Sequence, residues 1–351
     1  LKIIYQLGKA IFLVSFCCTL LTFPACKQGN PVLQGVSARD KITGISLAAS
    51  PRVIDDSTVE SVRDMHAGWV CLMPFAFIET IHDPTVYYNN DRQWHGETIE
   101  GIKETIDSFR QKNIRVMLKP QLWVGHGSFT GDIEMETATN WDSLEQDYAH
   151  YILDFAKVAA SENCEMFCIG TELNKFVVAR PAFWNHLIDS IRTIYKGKLT
   201  YAENWDAYST VPFWKKLDFI GINAYFPLSD EKNVSLKTLE NSWEKYEKSL
   251  SAFSSSQDKK ILFTEYGYRS CDFTARAPWE ENEEPVNFSN QEIALQALYE
   301  SCWNKNWFAG GFLWKWYDGI KHVFKKDNTD YTPQNKPAQD IVKAFYENKG
   351  K

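Results

Sequence analysis

The chain has 351 residues, is 44% hydrophobic and 24% charged, and carries a formal net charge of −7 at pH 7. That charge, with no basic block anywhere, argues against nucleic acid as a partner, and the length and apolar fraction allow one large domain or two small ones. The chain holds 13 Trp, 16 Tyr and 22 Phe, which are core material first and flat stacking faces where they fall in loops.

In chain order, the first 40 residues read as an export signal and a tether. Lys2 and Lys9 flank the start, and AIFLVSFCCTLLTF (10–23) is apolar but short for a stable span, as a signal h-region is. Small Ala25 then precedes Cys26, an arrangement that resembles a bacterial lipoprotein box, in which Cys26 is lipidated and becomes the new N-terminus. Phe23 and Pro24 depart from that box, and an ordinary signal peptide cut nearby is the alternative. Residues 1–26 are thus expected to be a lipoprotein-type signal and 27–40 a polar tether. The exported protein would meet the membrane only through its lipid anchor at the cell envelope. Beyond this segment lie Cys71, Cys164, Cys168, Cys271 and Cys302, odd in number and without a C-x-x-C pair. Neither a disulfide framework nor a zinc site is expected from them; they read as small buried fillers.

Past residue 40, short apolar runs read as buried parallel strands: 42–49, 68–75, 114–120, 165–170, 199–204, 219–225, 260–266 and 310–316. Helical patterns lie between them. Leu236, Leu239, Trp243, Tyr246, Leu250 and Phe253 recur at three- and four-residue steps, and Phe183, Leu187, Ile191 and Ile194 do the same behind Pro181. Ile293 to Cys302 marks another. Eight strands alternating with helices predict an α/β fold, a closed (β/α)₈ barrel forming one domain over residues 41–348. An open doubly wound sheet is the rival, but no Gly-rich phosphate turn follows the first strand. Connections into strands are short, whereas 76–96, 121–140, 273–288 and 317–336, which follow strands, are long and aromatic. In such a barrel those loops gather on the face that carries function.

Two carboxylates then stand out. Glu172 in FCIGTELN and Glu265 in KILFTEYGY each follow a Thr at the end of an apolar strand, the fourth and the seventh by count. In a closed barrel both reach one cavity, and opposed carboxylates are the minimum machinery for glycoside hydrolysis. A lone Glu at a strand end is usually just solvated or salt-bridged; a pair on these two strands is not so easily dismissed.

The layout is that of clan A glycoside hydrolases, and IGTELN, LKPQLW, YAENWD, DFIGINAYFPL, FTEYGYRS and GGFLWKWY resemble glycoside hydrolase family 113, over about residues 41–320. That family is typified by retaining β-1,4-mannanases on a (β/α)₈ barrel. The resemblance implies Glu172 as acid/base, Glu265 as nucleophile, an oligo- or polysaccharide substrate and no cofactor or metal. Most of the clan has Asn before the acid/base; this chain has Thr171, which the family tolerates. Another β-glycan cut by the same pair, or a glycan-binding lipoprotein that does not cut, are the rival readings.

Around this pair, the resemblance implies that Tyr225 hydrogen-bonds the nucleophile; packing at the barrel mouth is the alternative. Asn174 either binds a sugar hydroxyl or caps the following helix. Asn204, Trp205 and Asp206 offer polar contacts and a stacking face. Trp314 and Trp316 share one side of the last strand by its period of two, and one of them is expected as the floor beneath the sugar at the cleaved bond. Trp123 is placed to stack in a neighbouring subsite, and Lys119 to bind a hydroxyl or pair with an acid. Of the histidines, His126 is expected nearest the cleft, and no pair has metal-ligand spacing.

Overall fold

A computed structural model describes residues 41–281, 283–319 and 328–348. The expected signal, tether and Cys26 lie outside them. In chain order the elements are β1 (Ile42–Leu47), α1 (Asp56–Asp64), β2 (Trp69–Leu72), β3 (Phe75–Ile78), α2 (Ile99–Arg110), β4 (Arg115–Leu118), β5 (Gln121–Val124), α3 (Ala138–Ser161), β6 (Met166–Thr171), α4 (Asn174–Ala179), α5 (Pro181–Ile194), β7 (Lys198–Asn204), β8 (Ile220–Asn223), α6 (Leu236–Gln257), β9 (Ile261–Tyr266), α7 (Phe288–Cys302), β10 (Phe308–Trp316) and α8 (Ala338–Asn348).

The order β1-β10-β9-β8-β7-β6-β4-β2 closes into a parallel barrel, as the alternating pattern predicts. Each of the eight apolar runs supplies one staff. The two short strands β3 and β5 pair with each other outside the barrel. They stiffen the start of two loops that read as irregular in the sequence.

Local chemistry sets the helix starts. Thr98, Thr137, Ser235 and Asn287 each accept a backbone N–H of the first turn of α2, α3, α6 and α7, while α5 begins on Pro181, whose missing N–H costs nothing at that position. The strands alternate between two cores. Trp69, Cys71, Met117, Met166, Cys168, Ala202, Leu262 and Phe312 fill the lumen. Phe167, Ile169, Leu199, Tyr201, Ile222 and Phe263 face the helix layer with residues such as Trp184 and Trp243. The five cysteines past residue 40 are buried.

The strand register shifts at several places, three of them at the C-terminal end of a strand. On β6, Cys168 pairs with Thr200 and Thr171 with Ala202, three steps against two. On β9, Phe263 pairs with Ile222 and Glu265 with Asn223, two steps against one. On β10, Leu313 pairs with Ile45 and Trp316 with Leu47, again three against two. Such bulges insert a residue and re-aim the side chains beyond it.

The β6 bulge depends on Gly170. A Cβ there would stand 2.6 Å from the Tyr148 hydroxyl and 3.0 Å from the rings of Trp184 and Tyr201, all of them fully buried. Gly170→Ala is therefore expected to lower the unfolding free energy by about 1–3 kcal/mol, read by chemical denaturation; an unchanged midpoint would show that the bulge tolerates a side chain.

Candidate active site

The C-terminal ends of the strands open into a cleft of about 700 Å³ whose lining includes both Glu172 and Glu265. The bulges on β6 and β9 are what deliver them. On β9, Thr264 donates to Asn223 Oδ1 at 2.8 Å across the strand pair, and its neighbour Glu265 also reaches the lumen instead of alternating away. On β6, the residues past the bulge, Thr171 and Glu172, both line the cleft.

Glu172 has a left-handed backbone, φ 53°, a conformation that costs a non-glycine residue about 1–3 kcal/mol unless its surroundings enforce it. The enforcement comes from β7. Glu172 N–H donates to Ala202 O at 2.8 Å, and Leu173 N–H donates to the Tyr201 hydroxyl at 2.7 Å.

The two carboxylates have opposite surroundings. Glu265 is buried and collects donors: Lys119 Nζ and, at 3.3 Å, Gln121 Nε2 on Oε1, and the Tyr225 hydroxyl at 2.9 Å on Oε2. Burial works against the charge on Lys119, which is 0% exposed, but Glu265 outweighs it and the ammonium is held above the usual lysine value. Among the described residues, Glu172 has one side-chain donor, Asn223 Nδ2 at 2.7 Å. Burial first, and then the like charge of Glu265, push its carboxyl up to about 7, while Asn223 and Lys119 pull the other way. One group is therefore surrounded by donors while the other is poised to hold a proton near neutral pH.

Aromatic faces line the rest. Trp314 stands beside the pair, with Lys119 Nζ 5.9 Å from its ring centre. Trp123, 54% exposed on β5, meets Phe75 edge-on at 6.4 Å. Trp205 stacks on Trp279 at 5.5 Å and 25°. Asn204, the last residue of β7, and Asp206 lie on the same wall.

Of the last strand's two tryptophans, expected on one side with one of them in the cleft, Trp314 lines the cleft, but the two do not share a side: Trp316 is 2% exposed and turns to the helix layer, its Nε1 donating to Ser61 Oγ on α1 at 3.0 Å. The bulge on β10 breaks the alternation that would have placed it beside Trp314. Asn174 neither lines the cleft nor caps a helix: it is the first residue of α4, behind an N-cap at Leu173, and its Nδ2 donates to Thr210 Oγ1 at 3.0 Å. Two placements are refined. Tyr225 lies two residues past the end of β8, and Gly127 to Thr130, rather than His126 itself, line the cleft.

Gln121, Asn223, Trp279 and Tyr331 were not singled out in the sequence and all line the cleft. Gln121 follows Lys119 by two residues, and Asn223 ends an apolar strand as Glu265 does; those were the available signals. Trp279 and Tyr331 come from long loops, where no periodicity points inward. No group of His, Cys, Asp and Glu among the described residues could hold a metal ion.

Removing the cation beside Glu265 leaves a buried carboxylate without its counter-charge. Lys119→Met is expected to destabilise the fold by about 3–5 kcal/mol, whereas Gln121→Leu, which leaves the ion pair intact, should cost about 1 kcal/mol. Denaturant titration of the two variants checks this, and equal losses would contradict the ion pair as the dominant contact.

In known structures the same architecture recurs. The β-mannanase AaManA of Alicyclobacillus acidocaldarius, solved in complex with ManMIm, superposes with a TM-score of 0.80 at 23% identity, over 89% of this chain and 100% of that one. A second β-1,4-mannanase complex gives 0.77 at 23% identity, over 88% and 99%. A β-glucuronidase of Faecalibacterium prausnitzii gives 0.59 at 14% identity, over 88% of this chain and 49% of that one. No curated protein sequence matches the chain. The model of Glycoside Hydrolase Family 113 matches residues 53–336, a span that contains both carboxylates, every donor to them and the whole barrel except its first strand; the chain belongs to that family and is a glycoside hydrolase.

Proposed function

We propose that the enzyme cleaves β-1,4-mannan or manno-oligosaccharides with retention of configuration, by double displacement. The observation that carries this is the unequal pair: a carboxylate surrounded by donors opposite one that holds a proton near neutrality. The mannose specificity is supported by the family and by the β-1,4-mannanases among the similar structures.

In the first step Glu265 attacks the anomeric carbon and forms a covalent glycosyl ester. The bond to the glycosidic oxygen breaks, and that oxygen takes the proton of Glu172. In the second step Glu172, now ionised, removes a proton from water. The water oxygen bonds the anomeric carbon and Glu265 leaves as a carboxylate. Retention requires carboxyl groups about 5–5.5 Å apart. Supporting that closeness, Asn223 bonds Glu172 and stands opposite Glu265 in the strand register.

Tyr225 and Lys119 would steady the charge on Glu265 as the ester forms and breaks. Trp314 would floor the sugar at the cleaved bond, and Trp123 and Trp205 would stack neighbouring sugars, with Asn204 and Asp206 binding hydroxyls. Export and lipid attachment through Cys26 belong to the same proposal and rest on the first 26 residues alone.

On manno-oligosaccharides, Glu265→Ala and Glu172→Ala are expected to lower kcat by at least about 10³-fold; with an activated aryl β-mannoside, azide should be captured as the β-glycosyl azide by Glu172→Ala and as the α-glycosyl azide by Glu265→Ala. Products of the unmutated enzyme should first appear in the β form by NMR. Cleavage of β-glucan alone would overturn the substrate, and binding without cleavage would point to a glycan-binding protein.

The acid must carry its proton in the free enzyme. kcat/KM is therefore expected to fall above about pH 7, as Glu172 ionises. A pH–rate profile flat to pH 9 would contradict Glu172 as the acid.

A further inference from the structure

Behind the cleft lies a third carboxylate that the proposed chemistry does not use. Glu203 is 0% exposed and does not line the cleft. On β7 it shares a face with Tyr201, two residues earlier. That face is the outer one: Tyr201 packs on Trp184 at 5.5 Å and Phe213 at 5.6 Å in the helix layer, whereas Ala202 between them belongs to the lumen.

Glu203 is wired to the turn that holds Glu172. Its Oε2 accepts the Tyr201 hydroxyl at 3.2 Å, and its Oε1 accepts Asn204 N–H at 2.9 Å. The same Tyr201 oxygen accepts Leu173 N–H, immediately after the left-handed Glu172. With Ala202 O on Glu172 N–H, three consecutive residues of β7 clamp the turn. Asn204, whose N–H holds Glu203, is itself on the cleft wall.

We propose that Glu203 is a positioning residue for Glu172: through the Tyr201 hydroxyl it fixes the turn that presents Glu172, and its charge acts on Glu172 from behind the barrel wall. The positioning is a property of the fold; its effect on turnover rests on the assignment of Glu172 as acid/base.

The groups facing Glu172 are Glu265 from β9, Lys119 after β4, Asn223 on β8, Tyr225 beyond it, and Glu203 from β7. Burial first, then Glu265 and last Glu203 oppose its ionisation; Asn223 and Lys119 favour it. Glu203 is itself pushed up to about 7, by burial first, against the pull of Asn204 N–H and the Tyr201 hydroxyl, with Asp206 adding repulsion.

Glu203→Gln keeps polar atoms at both contacts and removes the charge. In a ¹³C-carboxyl NMR titration, with the Glu172 signal identified by its loss in Glu172→Gln, Glu203→Gln is expected to lower the Glu172 midpoint by about half a pH unit. The alkaline limb of kcat/KM should move with it.

A second readout is independent of activity. Because burial raises the Glu203 value, the folded chain binds more protons than the unfolded chain between about pH 4.5 and about 7, and stability falls as pH rises through that window. Glu203→Gln should therefore raise Tm relative to the parent at pH 8 more than at pH 5. Tyr201→Phe, which strands the Leu173 N–H, should lower kcat roughly tenfold with KM within about twofold.

An unmoved Glu172 midpoint and a pH-independent Tm difference in Glu203→Gln would overturn the electrostatic link, and an unchanged kcat in Tyr201→Phe would overturn the positioning. Failure of the parent enzyme to cleave any β-mannoside would instead refute the proposed function and leave the NMR titration standing.

Discussion

Everything at this site depends on the difference between the two carboxylates. Glu265 shares a buried contact with Lys119 and takes two more donors from Gln121 and Tyr225. Glu172 faces that negative charge with Asn223 as its side-chain donor. The same charge on Glu265 that keeps Lys119 an ammonium raises Glu172. One pair thus sets both protonation states, and the fold's task is to hold the groups close enough for the coupling to act.

The barrel does this by breaking its own regularity. A strict period of two would place successive strand residues alternately in the lumen and against the helices. Extra residues on β6, β9 and β10 suspend the rule at the C-terminal ends. Glu265 thereby joins Thr264 in the lumen, Thr171 and Glu172 turn into the cleft, and Trp314 remains there while Trp316 goes to the helix layer. The strain at Glu172 is borne by β7, whose backbone and Tyr201 hydroxyl hold the turn. Glycines supply the room: Gly170 sits where even a methyl group would meet Tyr148.

Much of this was legible in the sequence for a simple reason. Buried parallel strands are apolar runs, and a charged residue at the end of one is conspicuous. Glu172, Glu265 and the eight-strand count follow from that contrast, and the family resemblance drew attention to Tyr225. Partners were harder to see. Gln121 and Asn223 are ordinary polar residues until the barrel closes and brings them beside residues more than 50 positions away. Glu203 in YAEN was not singled out; that it is buried on the outer face of β7 shows only once Tyr201 beside it packs against Trp184 of α5 and Phe213. The placing of Trp316 beside Trp314 assumed unbroken alternation, and only the pairing of β10 with β1 reveals the extra residue. Asn174 was read from its position after Glu172, whereas its orientation is set by Thr210 on a distant loop.

The central claim is that Glu265 bonds to the sugar while Glu172 handles protons, and covalent trapping tests it most directly. Incubation with a 2-fluoro-β-mannosyl fluoride, followed by proteolysis and mass spectrometry, should place one fluoromannosyl group on the peptide containing Glu265, and none in Glu265→Ala. Labelling of Glu172 instead, or turnover with inversion and no trapped ester, would contradict the assignment.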